Sequence, residues 1–124
     1  NEARYEKQLF GEISAMTQAN REESVVATLI RRVEWHPRLI DGSDYPLPGV
    51  IPLISPRRFV KQGFLTETQA EVLSEIRGYN PLLFDFVLKR SLVSGGQRFT
   101  PVVFKSRRVF EPPSRVCSVS LRKN

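Results

Sequence analysis

"LLFDFVLKR", residues 82–90, decides how the rest of the chain is read. Alternation places Leu82, Phe84, Phe86 and Leu88 on one face of a strand. Asp85 and Lys89 fall on the other face, with Leu83 and Val87 between them. Such a strand has one dry side and one mixed side. "SGG" at 94–96 supplies a turn, after which "RFTPVVF", residues 98–104, returns antiparallel to close a hairpin. Pro101 removes a ladder donor and so puts this second strand at an edge or at an interruption. Beyond "EPP", a last strand fits "RVCSVSL", residues 115–121.

Upstream of that sheet the apolar period changes. Tyr5, Leu9, Ile13 and Met16, widened by Phe10, predict a helix over 2–16. "NREE" offers Asn20 as a cap and Glu23 at the reciprocal capping-box position of a second helix, with Val26, Leu29, Ile30 and Val33 as its stripe. It stops at His36, because Pro37 biases its predecessor away from helical geometry. Residues 37–58 form an extended, proline-rich connection whose "VIPLI" packs by side chains. "FVKQGFL", 59–65, predicts a strand. Thr66 or Thr68 then caps a third helix with Val72, Leu73 and Ile76 on its apolar face and Gly78 at its end. The expected fold is therefore α+β: two or three helices packed on a small, mainly antiparallel sheet. One domain spans 1–124, with a helical part at 2–36, the connection at 37–58 and a mixed helix and sheet part at 59–121.

A chain of 124 residues can bury a modest core without staples. Its net charge of +6 is unevenly spread. Residues 1–56 hold six basic and eight acidic side chains, and residues 57–124 hold thirteen and five. The excess belongs to residues 86–124, where nine basic side chains face Glu111 alone. Fourteen of the nineteen basic residues are arginine, whose planar fork suits phosphate or carboxylate and is also enriched at protein interfaces. The residues singled out for partner or phosphate binding are Lys89, Arg90, Arg98, Lys105, Arg107, Arg108 and Arg115, interleaved with Phe99, Phe104 and Phe110.

Several chemistries find no residues to carry them. One histidine and one cysteine cannot build a conventional zinc site, and no catalytic residue or cofactor signature is identified. His36 reads as a structural cap or surface histidine. "SGGQR" lacks the spacing and the lysine of a phosphate-binding loop. Glu22/Glu23 and Glu71/Glu75 read as solvated helix faces. The lone Cys117 fits a reducing, intracellular compartment, cytoplasm or nucleus. No stretch approaches the length of a bilayer span, and "NEARYEKQLFGE" does not resemble a signal peptide.

"SPRRFVKQGFL", residues 55–65, resembles the start of the pleckstrin-homology domains that follow Rho-family exchange domains, where a basic lead-in runs into a first strand. That resemblance implies seven strands and a terminal helix, with Lys61 near the position that meets phosphoinositide head groups. The chain departs from the pattern at the helical "TETQAEVLSEI", where a second strand belongs, and is not assigned to that family.

Three partners follow from these features. The leading expectation is a non-enzymatic protein-interaction or assembly domain with a basic C-terminal surface, its partner another protein or its own oligomer. An amphipathic N-terminal helix, a proline-rich arm and oppositely charged halves carry it. The alternative is a nucleic-acid-binding domain, DNA or RNA, contacting phosphates through its C-terminal arginines. An anionic membrane surface stands third.

Overall fold

The computed structural model of the chain describes residues 9–111. In chain order it runs through β1 (Gly11–Glu12), a 3-10 turn (Ser14–Thr17), α1 (Glu23–Arg31), a 3-10 segment (Val33–Arg38) and β2 (Leu39–Ile40). A 3-10 turn (Leu47–Gly49), α2 (Pro56–Lys61), α3 (Glu67–Tyr79) and α4 (Pro81–Ser91) follow, then a 3-10 turn (Pro101–Phe104) and α5 (Arg107–Phe110). β1 and β2 pair in parallel, Gly11 opposite Leu39 and Glu12 opposite Ile40. The molecule is mostly helical, which overturns the α+β expectation and its antiparallel sheet.

Residues 82–90 are helix, not strand, and the reason is local. Asn80 accepts a hydrogen bond from the Leu83 amide at 3.0 Å, and Pro81 occupies the first helical position, where a missing N–H costs nothing. The same residue closes α3 by donating its own N–H to Ile76 at 2.8 Å. In a helix Phe84, Asp85, Leu88 and Lys89 share one buried face, while Leu82 and Leu83 are exposed. The period that wins is therefore 3.6 and not 2. Without that strand the hairpin disappears: Ser94 and Gln97 form an isolated antiparallel bridge, with Gly95 and Gly96 at φ +58° and +76° in the turn between.

Other boundaries shift for similar reasons. Residues 59–61 of the predicted strand 59–65 lie in α2, which starts at Pro56, and this also removes the first strand that the pleckstrin-homology resemblance implies. α1 begins at Glu23, after Glu22 rather than Asn20, and ends at Arg31, short of His36. Within the predicted helix 2–16, residues 11–12 are strand and 14–16 lie in the 3-10 turn Ser14–Thr17. The third helix does start where Thr66 predicts: its hydroxyl accepts from the Gln69 amide at 3.2 Å while the Gln69 side chain accepts from the Thr66 amide at 2.9 Å. It runs through Gly78 to Tyr79. The proline-rich connection holds β2 and a 3-10 turn. Its "VIPLI" is divided, since Ile54 is buried while Val50 and Ile51 are exposed. The rest of helix 2–16 and the strand at 115–121 lie outside the described residues.

One buried cluster joins α1, β2, α2, α3, α4 and the 3-10 turn at Pro101–Phe104. Ile13, Val26, Ile30, Leu39, Ile54, Phe59, Leu73, Phe84, Leu88 and Val103 belong to it. Burial of each such side chain contributes about 1.5–3 kcal/mol.

Candidate interaction surface

With so little sheet, the carbonyl groups of the loops need other donors, and arginines supply them. Arg58 donates to Gln18 and Thr17 carbonyls at 2.8 and 3.0 Å, and Arg77 to the Ile54 carbonyl at 2.6 Å. Arg31 reaches the Ser94 hydroxyl at 2.9 Å. Arg108 donates to the carbonyls of Leu39 and Val102, each at 3.2 Å. Partial burial lowers the pKa of Arg58 and of Arg77. These four side chains fasten the fold, so four of the fourteen arginines serve contacts within the chain.

The predicted binding residues separate accordingly. Lys89 is 0% exposed, so it is corrected from a surface contact to an interior one. Its ammonium meets Asp85 at 2.6 Å and Asp41 at 3.2 Å and donates to the Gly42 carbonyl, tying α4 to the end of β2. Burial pushes the Asp85 carboxyl up to about 6, outweighing the pull of Lys89, and Asp41 and Asp44 raise it further. Arg107 is exposed but pairs with Glu111, donating through Nε at 2.7 Å. Arg90 is exposed and lies over the rings of Phe86 and Phe104 at 5.4 and 5.3 Å. Arg98 and Lys105 are exposed with no carboxylate partner among the described residues. Arg115 lies outside the described residues. Of the interleaved aromatics Phe99 is buried and Phe104 half-buried, while Phe110 stands exposed.

His36 takes the structural role of the expected pair and not the surface one. Its ring is fully buried, with Nδ1 accepting from the Thr100 amide at 3.1 Å and Nε2 donating to the Leu29 carbonyl at 3.0 Å. That arrangement fixes the tautomer with the proton on Nε2. Among the described residues, no group of three or more His, Cys, Asp or Glu side chains is placed to hold a metal ion. Nor is any described helix long and apolar enough to cross a membrane.

Sequence reasoning missed the exposed apolar side chains. Val25 and Trp35 rim a shallow cleft of about 220 Å³ along α1 with Ser24, Thr28 and Leu29. Thr68, Gln69, Val72, Leu73, Val87 and Ser91 line a second, of about 170 Å³, between α3 and α4. Leu47, Val50, Ile51, Leu82 and Leu83 are exposed as well. The strand reading hid the α4 members, because it turned Leu82 inward and left Leu83 on the mixed face. Comparison with protein-family models, curated proteins and solved structures finds no match to the chain.

Proposed function

We propose that this chain is a non-enzymatic protein-interaction or assembly domain. One observation carries the reading: large apolar side chains stand exposed on helix faces, on α1 at Val25, on α3 at Val72 and on α4 at Leu82 and Leu83. Val25 with Trp35 lines one cleft and Val72 with Val87 another; apolar clefts of that kind suit contact with other proteins, and Trp35 and exposed arginines are residue types that dominate such contacts. The inward use of Arg58, Arg77 and Lys89 supports it from the other side, by shrinking the positive surface left for an anion. A single cysteine agrees with an intracellular setting.

The competing reading, phosphate contact by nucleic acid, keeps the exposed Arg90, Arg98 and Lys105, the last two with no carboxylate partner among the described residues. Titration of labelled single- and double-stranded DNA and RNA with the full chain at several salt concentrations separates the two, run beside an Arg98→Glu/Lys105→Glu variant. The expected result is no salt-sensitive binding, together with cross-linked protein complexes that weaken when Trp35 or Val72 is replaced by glutamate. Binding that falls steeply with salt and is lost in the Arg98→Glu/Lys105→Glu variant overturns the proposal in favour of phosphate contact.

A further inference from the structure

The helical hairpin of α3 and α4 turns at Asn80–Pro81, and the 3-10 turn Leu47–Gly49 packs against that corner. A Cβ at Gly49 would stand 3.3 Å from Pro81 Cγ, so the glycine lets the two segments meet closely there. Large apolar side chains surround the contact. Leu47, Val50 and Ile51 lie within two residues of Gly49, Tyr79 and Leu82 lie within two of Pro81, and all five are exposed. Ile51 is 72% and Tyr79 91% exposed, so these side chains project as knobs instead of lining a pocket. None of the five belongs to the cleft along α1 or to the cleft between α3 and α4.

Two features tell what this corner can meet. Residues 45–56 and 78–84 hold no charged side chain, in a chain that is 26% charged. The backbone of the loop is also closed on itself. Pro46, Pro48 and Pro52 have no N–H to offer. Leu47 donates to the Asp44 carbonyl at 2.9 Å, and Gly49, Val50 and Leu53 donate to the carbonyls of Pro46, Leu47 and Val50 at 3.0 Å each. Of residues 46–53, only Ile51 has an amide without a partner among the described residues. Water or a protein partner supplies acceptors for free amides, whereas hydrocarbon supplies none, so apolar backbone with its donors already paired is what entry into lipid requires. Tyr45 and Tyr79, both exposed, are of the type that sits at the level of lipid headgroups. The net charge of +6 adds attraction to an anionic surface.

We propose that this corner docks onto the surface of a lipid bilayer, with Ile51 and Leu82 entering the boundary between headgroups and acyl chains. The chain lies on the membrane there and does not cross it, its apolar knobs reaching about 5–10 Å into that boundary. A fluid lipid surface closes around projecting side chains wherever they stand, so no matching pocket is needed. The proposal goes beyond the protein-interaction reading. It assigns Leu82 to lipid and leaves the clefts at Trp35 and Val72 to a protein partner.

Flotation of the full chain with vesicles of phosphatidylcholine mixed with phosphatidylserine tests this, with circular dichroism to verify that each variant is folded. Binding that persists at high salt is expected. Ile51→Ser and Leu82→Ser each weaken it about tenfold, and because both substitutions are neutral the loss reads apolar contact and not repulsion. Ile51→Trp adds a reporter whose emission shifts to the blue with vesicles, beyond any change in the parent's Trp35. If the serine variants unfold, that emission decides alone, and an unshifted Trp overturns the proposal. Absence of binding overturns it as well. Binding that salt abolishes and that both serine variants retain is adsorption of a basic protein and overturns it too. A chain that ignores vesicles but loses cross-links to another protein with Ile51→Ser overturns the lipid assignment and leaves the protein-interaction reading standing.

Discussion

Lys89 stands one helical turn after Asp85, and its ammonium lies 2.6 Å from the Asp85 carboxylate inside the core. Only a helix brings residues four apart into that contact. The pair, with Asp41 at 3.2 Å, secures the otherwise apolar face of α4 to the end of the two-stranded sheet. Breaking a buried pair by removing one partner leaves an uncompensated charge and costs about 3–5 kcal/mol. Lys89→Met is therefore expected to lose stability on that scale in urea unfolding. Asp85→Leu combined with Lys89→Met is expected to recover much of it, because then neither member is left charged and alone. A single variant as stable as the parent shows the cluster to be energetically idle.

Asp85 also sets a pH dependence whose sign is opposite to that of a surface carboxylate. Its Oδ1 has no hydrogen-bond partner, and burial raises its pKa from 3.8 to about 6 in the folded chain. The folded state thus holds the proton more tightly than the unfolded one. The contribution from this group is fully present below pH 3.8 and is lost as pH rises through about 6. Two pKa units correspond to about 3 kcal/mol. The stability difference between the parent and Asp85→Asn is expected to grow in the parent's favour by about that amount from pH 7 to pH 4. A difference independent of pH contradicts the assignment.

Asn80 and Thr66 fix the helical hairpin at its two starts. Asn80→Ala removes the acceptor for the Leu83 amide and is expected to cost about 1 kcal/mol, as is Thr66→Ala. Thermal unfolding measures both. The test specific to the hairpin is faster amide hydrogen exchange at Leu83 in Asn80→Ala and at Gln69 in Thr66→Ala, with α1 unaffected.

These caps show what was legible in the sequence and what was not. Thr66 with Gln69 announces its helix openly, because a capping box is local chemistry. Asn80–Pro81 carries the same kind of signal for α4, yet it precedes a run in which strict alternation and helical spacing both fit. Asp85 and Lys89 do not decide between them, since charges four apart suit one face of a helix as well as the outer face of a strand. Only the core around them makes the first arrangement the stable one. The inward use of the arginines was not legible at all. Whether Arg77 meets a phosphate or the Ile54 carbonyl depends on where a loop distant in sequence comes to rest. The exposed groove of α3 and α4 was hidden for the same reason as the helix that forms its second bank.

Internal and external arginines should separate cleanly in mutational cost. Arg77→Leu leaves the Ile54 carbonyl without its donor and removes a guanidinium lying 4.7 Å from the Phe84 ring centre. A loss of about 1–3 kcal/mol is expected. Arg107→Ala breaks an exposed pair with Glu111 and is expected to cost less than about 1 kcal/mol. Chemical denaturation of the two variants side by side checks the ordering. Equal costs would mean that the internal hydrogen bond adds nothing beyond an ordinary surface pair.

His36 gives the last separation, between a structural and a chemical role for the histidine. Its ring joins the end of α1 to the segment after the 94–97 turn, through the Leu29 carbonyl and the Thr100 amide, with Phe99 packed at 5.3 Å. His36→Phe keeps the ring volume and removes both hydrogen bonds, leaving one donor and one acceptor unpaired in the interior. The expected cost is about 2–6 kcal/mol, from two unsatisfied groups at roughly 1–3 each. His36→Gln offers an acceptor and a donor on a side chain of comparable reach and is expected to lose less than His36→Phe. The reverse order in thermal unfolding would show that packing against Phe99, and not the pair of hydrogen bonds, is what holds this histidine in the core.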